Sequence, residues 1–98
     1  MRIPLKKYNV SIEYCVPWSY LPRAVSLTDD LLSNYQHIIE KITLITSSGG
    51  AFEVKVNGDL IFSKKTIQRR HAEPGEVLGL FREKVGADVP TFPNSDTV

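Results

Sequence analysis

The sequence has very little cysteine, no long hydrophobic run and almost no net charge. Only one of its 98 residues, Cys15, is a cysteine, which excludes an intrachain disulfide and a thiolate metal cluster. His37 and His71 are too few and too scattered to complete a zinc site with it, and we expect no metal and no bound cofactor. No apolar run approaches the roughly 20 residues that span a bilayer, and the first residues lack a signal-peptide core. We therefore expect one small domain in the cytoplasm, with no membrane partner.

The charge balance also excludes a class of partner. A formal net charge of +1 is too small to indicate nucleic-acid binding. The basic residues do form one local cluster after a predicted strand: Lys64, Lys65, Arg69, Arg70 and His71. A phosphate site would need a wider basic footprint, and this pattern favours a solvated loop.

The first half of the chain predicts a strand, a helix and a second strand. Residues 8–15 alternate, with Tyr8, Val10, Ile12 and Tyr14 on one face. Apolar residues then recur at helical spacing: Leu21, Ala24, Val25, Thr28, Leu31, Leu32, Tyr35 and Ile38. Ser19 is the predicted N-cap, Pro22 falls in the first turn, and residues 41–46 form a short strand.

The second half predicts a hairpin and a second helix. Residues 52–56 alternate, and Asn57-Gly58 is a strong signal for a tight turn before an antiparallel strand at 59–63. Residues 73–76 open a helix with Pro74 near its first position. Its apolar stripe comprises Val77, Leu78, Phe81 and Val85, and Gly86 ends it.

The element order is therefore β-α-β-β-β-α, which predicts an α+β fold in two layers. We expect a four-stranded mixed sheet in the order 2-1-3-4, with both helices on one face. Residues 1–7 form a lead-in, 8–86 the domain and 87–98 a flexible tail. An unrelated α+β domain with the same element order remains the alternative.

Several motifs together carry a family resemblance. A strand ending in Cys15 is followed by Trp18 and by Arg23 on a helix; Gly-Gly-Ala-Phe-Glu-Val follows at 49–54 and Ile-Phe-Ser-Lys-Lys at 61–65. In this order and spacing, over roughly residues 9–86, they resemble the selenoprotein W-like (Rdx) family. That family's pattern is a strand-end Cys-x-x-Cys or Cys-x-x-selenocysteine, a GxFEV strand and a hairpin closing in SKK or SRK. The resemblance implies a thioredoxin-like fold and a thiol redox role, often linked to glutathione.

The resemblance places the redox pair on Cys15 and Trp18. Cys15 matches the first cysteine, whereas Trp18 occupies the second redox position and has no redox chemistry of that kind. Dithiol–disulfide exchange needs a second sulfur to resolve the mixed disulfide, so we do not expect it here. Three explanations of Trp18 remain open: an exposed interface anchor, a hydrophobic cap over the helix start, or the replacement of a selenocysteine, whose UGA codon can be misread as tryptophan.

The chemistry of Cys15 has two interpretations. A helix N-terminus favours a thiolate, and Arg23 one turn into the helix is a candidate to stabilise it, whereas Glu13 on the same strand face opposes ionisation. A lone cysteine is also often an inert packing residue. One function is thus a single-thiol oxidoreductase in which Cys15 forms a mixed disulfide with glutathione or a partner thiol. The other is a non-catalytic interaction module, using the Cys15–Trp18 loop or the open sheet face to hold a partner or a second copy.

Overall fold

The computed structural model describes residues 6–93, which form the predicted order of strands and helices. In chain order they are β1 Tyr8–Cys15, α1 Leu21–Tyr35, β2 Ile39–Ser47, β3 Phe52–Val56, β4 Asp59–Ser63 and α2 Glu76–Val85. The strands form one sheet in the order β2-β1-β3-β4. β1 pairs parallel to β2 and antiparallel to β3, and β3 pairs antiparallel to β4. The predicted fold class and strand order are confirmed.

The core lies between the helices and one face of β1 and β3. The alternating residues of β1 are buried on this face, and Ile12, Val54, Leu31 and Phe81 are all fully buried as predicted. Tyr8 of β1 meets the edge of Phe81 of α2 at 6.0 Å between ring centroids, and Tyr35 of α1 meets the same ring at 5.0 Å. Because Phe81 contacts a strand and the other helix at once, both helices cover the same face of the sheet.

The hairpin between β3 and β4 has the predicted turn. Asn57 and Gly58 both have positive φ, at 52° and 85°, which is the geometry of the tight turn that Asn-Gly favours. The Asn57 side chain also accepts the backbone N–H of Asn9 at 2.9 Å, which attaches the turn to β1.

The apolar stripe of α1 is rotated relative to the prediction. The residues it buries are Ala24, Leu27, Leu31 and Tyr35. Leu21, Val25 and Leu32, predicted to face the core, are exposed instead. The cause is that α1 carries two neighbouring apolar stripes, and the sheet covers only one of them. The helix also ends at Tyr35, so that Ile38 is buried in the turn before β2 rather than on the helix.

Both helices begin one to three residues later than predicted. Ser19 is not the N-cap, because it has a left-handed φ of 62°; the cap is Tyr20, whose carbonyl accepts the N–H groups of Arg23 and Ala24. Pro22 lies in the first turn, as predicted. Pro74 lies outside α2, because Gly75 has a φ of 79° that no helix tolerates, and the helix starts at Glu76.

The segment after α2 returns along the end of α1. Gly86 is the C-cap, with φ 114°, as predicted. The N–H of Phe92 donates to the carbonyl of Asn34 at 2.6 Å, and the ring of His37 lies 2.9 Å from the carbonyl of Pro90. The rest of the predicted tail, 94–98, and residues 1–5 of the lead-in lie outside the described residues. Within 6–93, no helix is long and apolar enough to cross a membrane.

We predict that Leu31→Ala lowers the free energy of unfolding by about 2–5 kcal/mol, because the side chain is fully buried between α1 and the sheet. Leu32→Ala, the same truncation one residue later on the exposed stripe, is expected to cost about 1 kcal/mol or less. Urea denaturation of both variants measures the difference. Equal losses in the two variants would contradict the rotated stripe.

Candidate functional site

Cys15 lies where β1 ends and the chain turns into α1. Its N–H donates to the carbonyl of Ala51 at 2.9 Å, and its own carbonyl accepts the N–H of Tyr20 at 3.1 Å. The N–H of Val16 donates to the carbonyl of Ser47 at 2.9 Å. Backbone bonds from the end of β2, the start of β3 and the start of α1 thus converge on the cysteine and hold the junction in place.

The thiol is closed off from solvent in this conformation. Cys15 is 0% exposed, whereas the four residues after it, Val16 to Ser19, are all exposed. Ser19 holds a left-handed φ of 62°, which costs a non-glycine residue on the order of 1 kcal/mol. The cysteine is therefore rigidly placed next to a strained surface loop, and reagents can reach its sulfur only if the surroundings open.

Trp18 lies over Gly50 and is still 58% exposed. A Cβ on Gly50 would come within 2.5 Å of the indole ring, so only glycine permits this contact. The indole meets Tyr20 edge to face, with ring centroids 6.1 Å apart, and the Lys64 ammonium lies 5.6 Å from its centroid. Trp18 therefore caps the start of α1 with one face and leaves more than half of its surface available to a partner.

A histidine with a depressed pKa completes this aromatic cluster. The His71 ring meets Tyr20 edge to face at 4.6 Å. Its burial, and then the positive charges of Arg23 and Lys64, lower the pKa of His71 below its ordinary value. The charge of Arg23 thus acts on His71, and its predicted action on the Cys15 thiolate stays a prediction. Lys64 and His71, predicted to belong to a solvated loop, instead pack on aromatic rings.

Lys64 is positioned by a hydrogen-bonded network that the sequence does not reveal. Ser63 is fully buried, and its hydroxyl donates to the carboxylate of Glu53 on the neighbouring strand. The N–H and the hydroxyl of Thr66 both donate to the Ser63 oxygen, at 3.0 and 2.9 Å, and the Ser63 N–H donates to Gln68 at 3.1 Å. The chain after β4 is thereby fixed in a tight turn, which directs Lys64 toward Trp18 and Tyr20.

A cleft opens beside the cluster, between α1 and the segment leading into α2. Its volume is about 420 Å³, which is in the range of small-molecule sites, and Arg23, Leu27, Phe52 and Val77 are among its lining residues. Phe52 pairs with Tyr14, the neighbour of Cys15, so the cleft lies close to the strand end. Within 6–93 no group of three His, Cys, Asp or Glu side chains is arranged to hold a metal ion.

Comparisons with known proteins agree on the family. The Rdx family model matches residues 9–83. The chain belongs to the Rdx family. None of the curated proteins compared with it matches. Among solved structures, a selenoprotein W-related protein from Vibrio cholerae is similar, with a TM-score of 0.76 and 26% identity over 83% of this chain and 100% of that one.

A second solved structure supports the fold alone. A protein from Bordetella parapertussis has a TM-score of 0.74 and 22% identity, over 80% of this chain and 98% of its own. The resemblance to the selenoprotein W-like family and the thioredoxin-like fold that it implied are confirmed. Family membership connects this Rdx protein with a redox-related role of the thioredoxin-like type.

We predict that Gly50→Ala displaces the Trp18 ring, because the new methyl group would overlap it. Trp18 is the only tryptophan, so its fluorescence reports on this loop directly. The expected result is a red-shifted emission maximum in the folded protein. The control is Gly58→Ala, which has the same kind of positive φ but no atom within 4 Å of the new Cβ. It strains the backbone equally and leaves the emission unchanged; a shift in both variants would contradict the contact.

We predict that His71 makes the stability depend on pH. Its folded-state pKa lies below the unfolded value of about 6.5, so in the window between the two values the unfolded chain binds the proton more readily. The contribution of His71 to the free energy of unfolding is therefore complete above about pH 6.5. It is lost as the pH falls from that value through the folded-state pKa. Urea denaturation at a series of pH values should show a shallower fall in His71→Gln. Identical slopes would show that His71 is not desolvated.

Proposed function

We propose that this Rdx protein acts as a single-thiol redox protein through Cys15, with glutathione or a partner protein's thiol as the second reactant. The observation that carries the proposal is the position of the sole cysteine, at the strand–helix junction of a thioredoxin-like fold. Three sets of backbone hydrogen bonds hold that junction. Such rigid placement is what a nucleophile requires.

The chemistry needs one thiolate here and two external thiols. Cys15 loses its proton to solvent, and its sulfur attacks a disulfide of glutathione or of a partner protein. A new S–S bond forms to Cys15 as the old one breaks, and the departing sulfur leaves as a thiolate. An external thiolate then attacks the partner sulfur of the mixed disulfide and forms a new disulfide with it, and Cys15 leaves as a thiolate and takes up a proton. A second external thiolate reduces that new disulfide, so that two electrons pass from two external thiols, which end as a disulfide, to the original disulfide. Trp18 prevents internal resolution.

The start of α1 and Arg23 favour the thiolate in this proposal. The aligned peptide dipoles of α1 place partial positive charge at its first turn, and Arg23 lies in that turn. Glu13, two residues before the cysteine, opposes ionisation, but its carboxylate accepts the hydroxyl of Ser47 at 2.6 Å on the open face of the sheet. That hydrogen bond holds the Glu13 carboxylate beside β2, the edge strand.

Opening of the Val16–Ser19 loop controls access in this proposal. Because the thiol is fully buried, the observed rate of any reaction at Cys15 scales with the fraction of molecules in which it is exposed. The packing of Trp18 on Gly50 and the Lys64 ammonium hold the loop closed. A bound partner that takes up the exposed surface of Trp18 would shift this equilibrium, since any ligand that binds the open form better increases its population.

One observation favours a second function. A thiol that is completely buried beside a tryptophan that is 58% exposed is the arrangement expected if the loop binds a partner without chemistry. Tryptophan is among the side chains most enriched at binding hot spots. In this alternative the Rdx protein is an interaction module, and Cys15 is a packing residue.

The pH dependence of alkylation at Cys15 separates the two functions. For a working thiolate we expect a titration midpoint clearly below about 8.5, reaction at neutral pH in the folded state, and a one-to-one mixed disulfide with oxidised glutathione that external thiol reverses. Trp18→Cys should then close an intramolecular disulfide and gain disulfide-reductase turnover.

The matched control is Val16→Cys, in which the two sulfurs belong to adjacent residues. Their Cα atoms are about 3.8 Å apart, below the usual range for a disulfide, so no stable ring is expected. If Cys15 resists alkylation in the folded state and Trp18→Cys closes no disulfide, the redox proposal is wrong and the interaction module is supported.

A further inference from the structure

The outer edge of β2 is long, uncharged over most of its length and unpaired within the described chain. β2 hydrogen-bonds to β1 on one side only, because it is the first strand in the sheet order. Its last six residues, 42–47, contain no charged side chain and no proline. Monomeric proteins usually protect such an edge with charges, proline or a covering element. Within residues 6–93 the charges of β2 are confined to its start, at Glu40 and Lys41, and no covering element pairs with the edge of 42–47.

An apolar surface on α1 lies directly above this edge. Leu21, Val25 and Leu32 recur at helical spacing and are all exposed. They form the flank of α1 that points away from α2, because the opposite flank, with Arg23 and Asp30, lines the cleft toward α2. Leu44 of β2, 39% exposed, faces the helix layer because it pairs with the buried Ile12. We call Leu21, Val25, Leu32 and Leu44 the edge patch.

We propose that the occupant of this edge is a second copy of the chain, paired antiparallel through β2 about a two-fold axis at Leu44. The register follows from a bulge in β2: Tyr8 pairs with Ile39 and Asn9 with Lys41, so Glu40 is an extra residue and only 41–47 are regular. If residues 41–47 of one copy pair antiparallel with residues 41–47 of the other, Leu44 lies opposite the partner's Leu44. Lys41 then lies opposite the partner's Ser47. The two sheets become one eight-stranded sheet with all helices on one face.

Charge complementarity selects the antiparallel orientation and this register. The Ser47 hydroxyl donates to the carboxylate of Glu13 on the open face, so that this carboxylate lies next to Ser47. Lys41 lies on the same face, beside Asn9. With Lys41 opposite the partner's Ser47, its ammonium comes next to the partner's Glu13 carboxylate, and the two-fold axis repeats this pair. Parallel pairing would instead set Lys41 against Lys41, which is destabilising.

The spacing of the layers also fits. α1 packs on both β1 and β2, so its axis lies above the midpoint between these two strands. That point is about half a strand spacing from β2, on the side of β1. The proposed two-fold axis lies midway between the two copies of β2, about half a strand spacing from each. Each α1 axis is then about 4.8 Å from the two-fold axis, and the two copies of α1 are about 10 Å apart. Packed helices lie about 8–10 Å apart, so the edge patches meet at contact distance when the strands pair.

Sedimentation of the full chain over a range of concentrations tests the dimer. We expect twice the monomer mass at micromolar concentration. Leu44→Lys should raise the dissociation constant at least about 100-fold with an unchanged circular dichroism spectrum, because two ammonium groups would face each other across the axis. The matched control is Leu60→Lys, a leucine of the same 39% exposure on β4 at the other edge of the sheet, which should leave the dimer intact.

A crosslink tests the register. Residues directly opposite in antiparallel strands have Cα atoms about 4.5–5.5 Å apart, which is within the range that a disulfide spans. Leu44→Cys in a Cys15→Ser background should therefore form an intermolecular disulfide on mild oxidation, and Leu60→Cys should not. Lys41→Glu should weaken the dimer, and adding Glu13→Lys should restore it. A monomer at all concentrations, or a dimer that Leu60→Lys breaks and Leu44→Lys does not, overturns the proposal.

Discussion

The structure depends on the burial of alternate side chains of β1. β2 and β3 pair with this strand on its two sides and satisfy its backbone N–H and C=O groups. Its apolar face contacts both helices. Ile12 and Val10 lie at the centre of the sheet, and Tyr8 extends to Phe81 of α2. Every other element is placed relative to this strand. Because Cys15 is its last residue, the core that stabilises the domain also determines where the sulfur lies.

An indole three residues after the only cysteine limits what the strand–helix junction can do. A cysteine at position 18 would interact with Cys15 through a covalent bond, whereas tryptophan can interact only by packing. The indole needs room, and Gly50 provides it by carrying no side chain at the point of contact. Lys64 then places a cation near both Trp18 and Tyr20. The strand–helix junction thus carries an aromatic and cationic surface beside one buried thiol.

Much of the fold could be predicted from sequence because its signals are local. Alternation located β1 and β3, and Asn57-Gly58 located the hairpin, since both depend on backbone geometry that neighbouring residues determine. The register of α1 could not be predicted in the same way. Stripes at Ala24–Leu27–Leu31–Tyr35 and at Leu21–Val25–Leu32 are equally helical, and only the position of the sheet decides which one is buried.

The residues of the candidate site also differ in whether the sequence alone could identify them. Cys15 and Trp18 could be identified from their order relative to the strand and helix, whereas Ser63, Glu53 and His71 could not. A serine at the end of a strand is ordinarily exposed, and Ser63 is buried because Glu53 from β3 and Thr66 from the following turn both bond to it. His71 is distant in sequence from Tyr20 and meets it only after the chain has passed through β4 and its loop. Such contacts arise from tertiary structure and leave no periodic signal.

The two ends of β2 connect the thiol to the proposed dimer edge. Ser47, at its C-terminal end, accepts the N–H of Val16 and donates its hydroxyl to Glu13, so the same residue contacts the loop after Cys15 and the carboxylate two residues before it. A partner Lys41 beside that carboxylate would offset its negative charge and so favour the thiolate. By the reciprocity of linked equilibria, a form of the Rdx protein with an ionised Cys15 would in turn bind its second copy more tightly. Measuring the Cys15 titration midpoint in the parent and in Leu44→Lys tests this coupling. A lower midpoint in the dimer is expected, and identical midpoints would show that the edge and the thiol are independent.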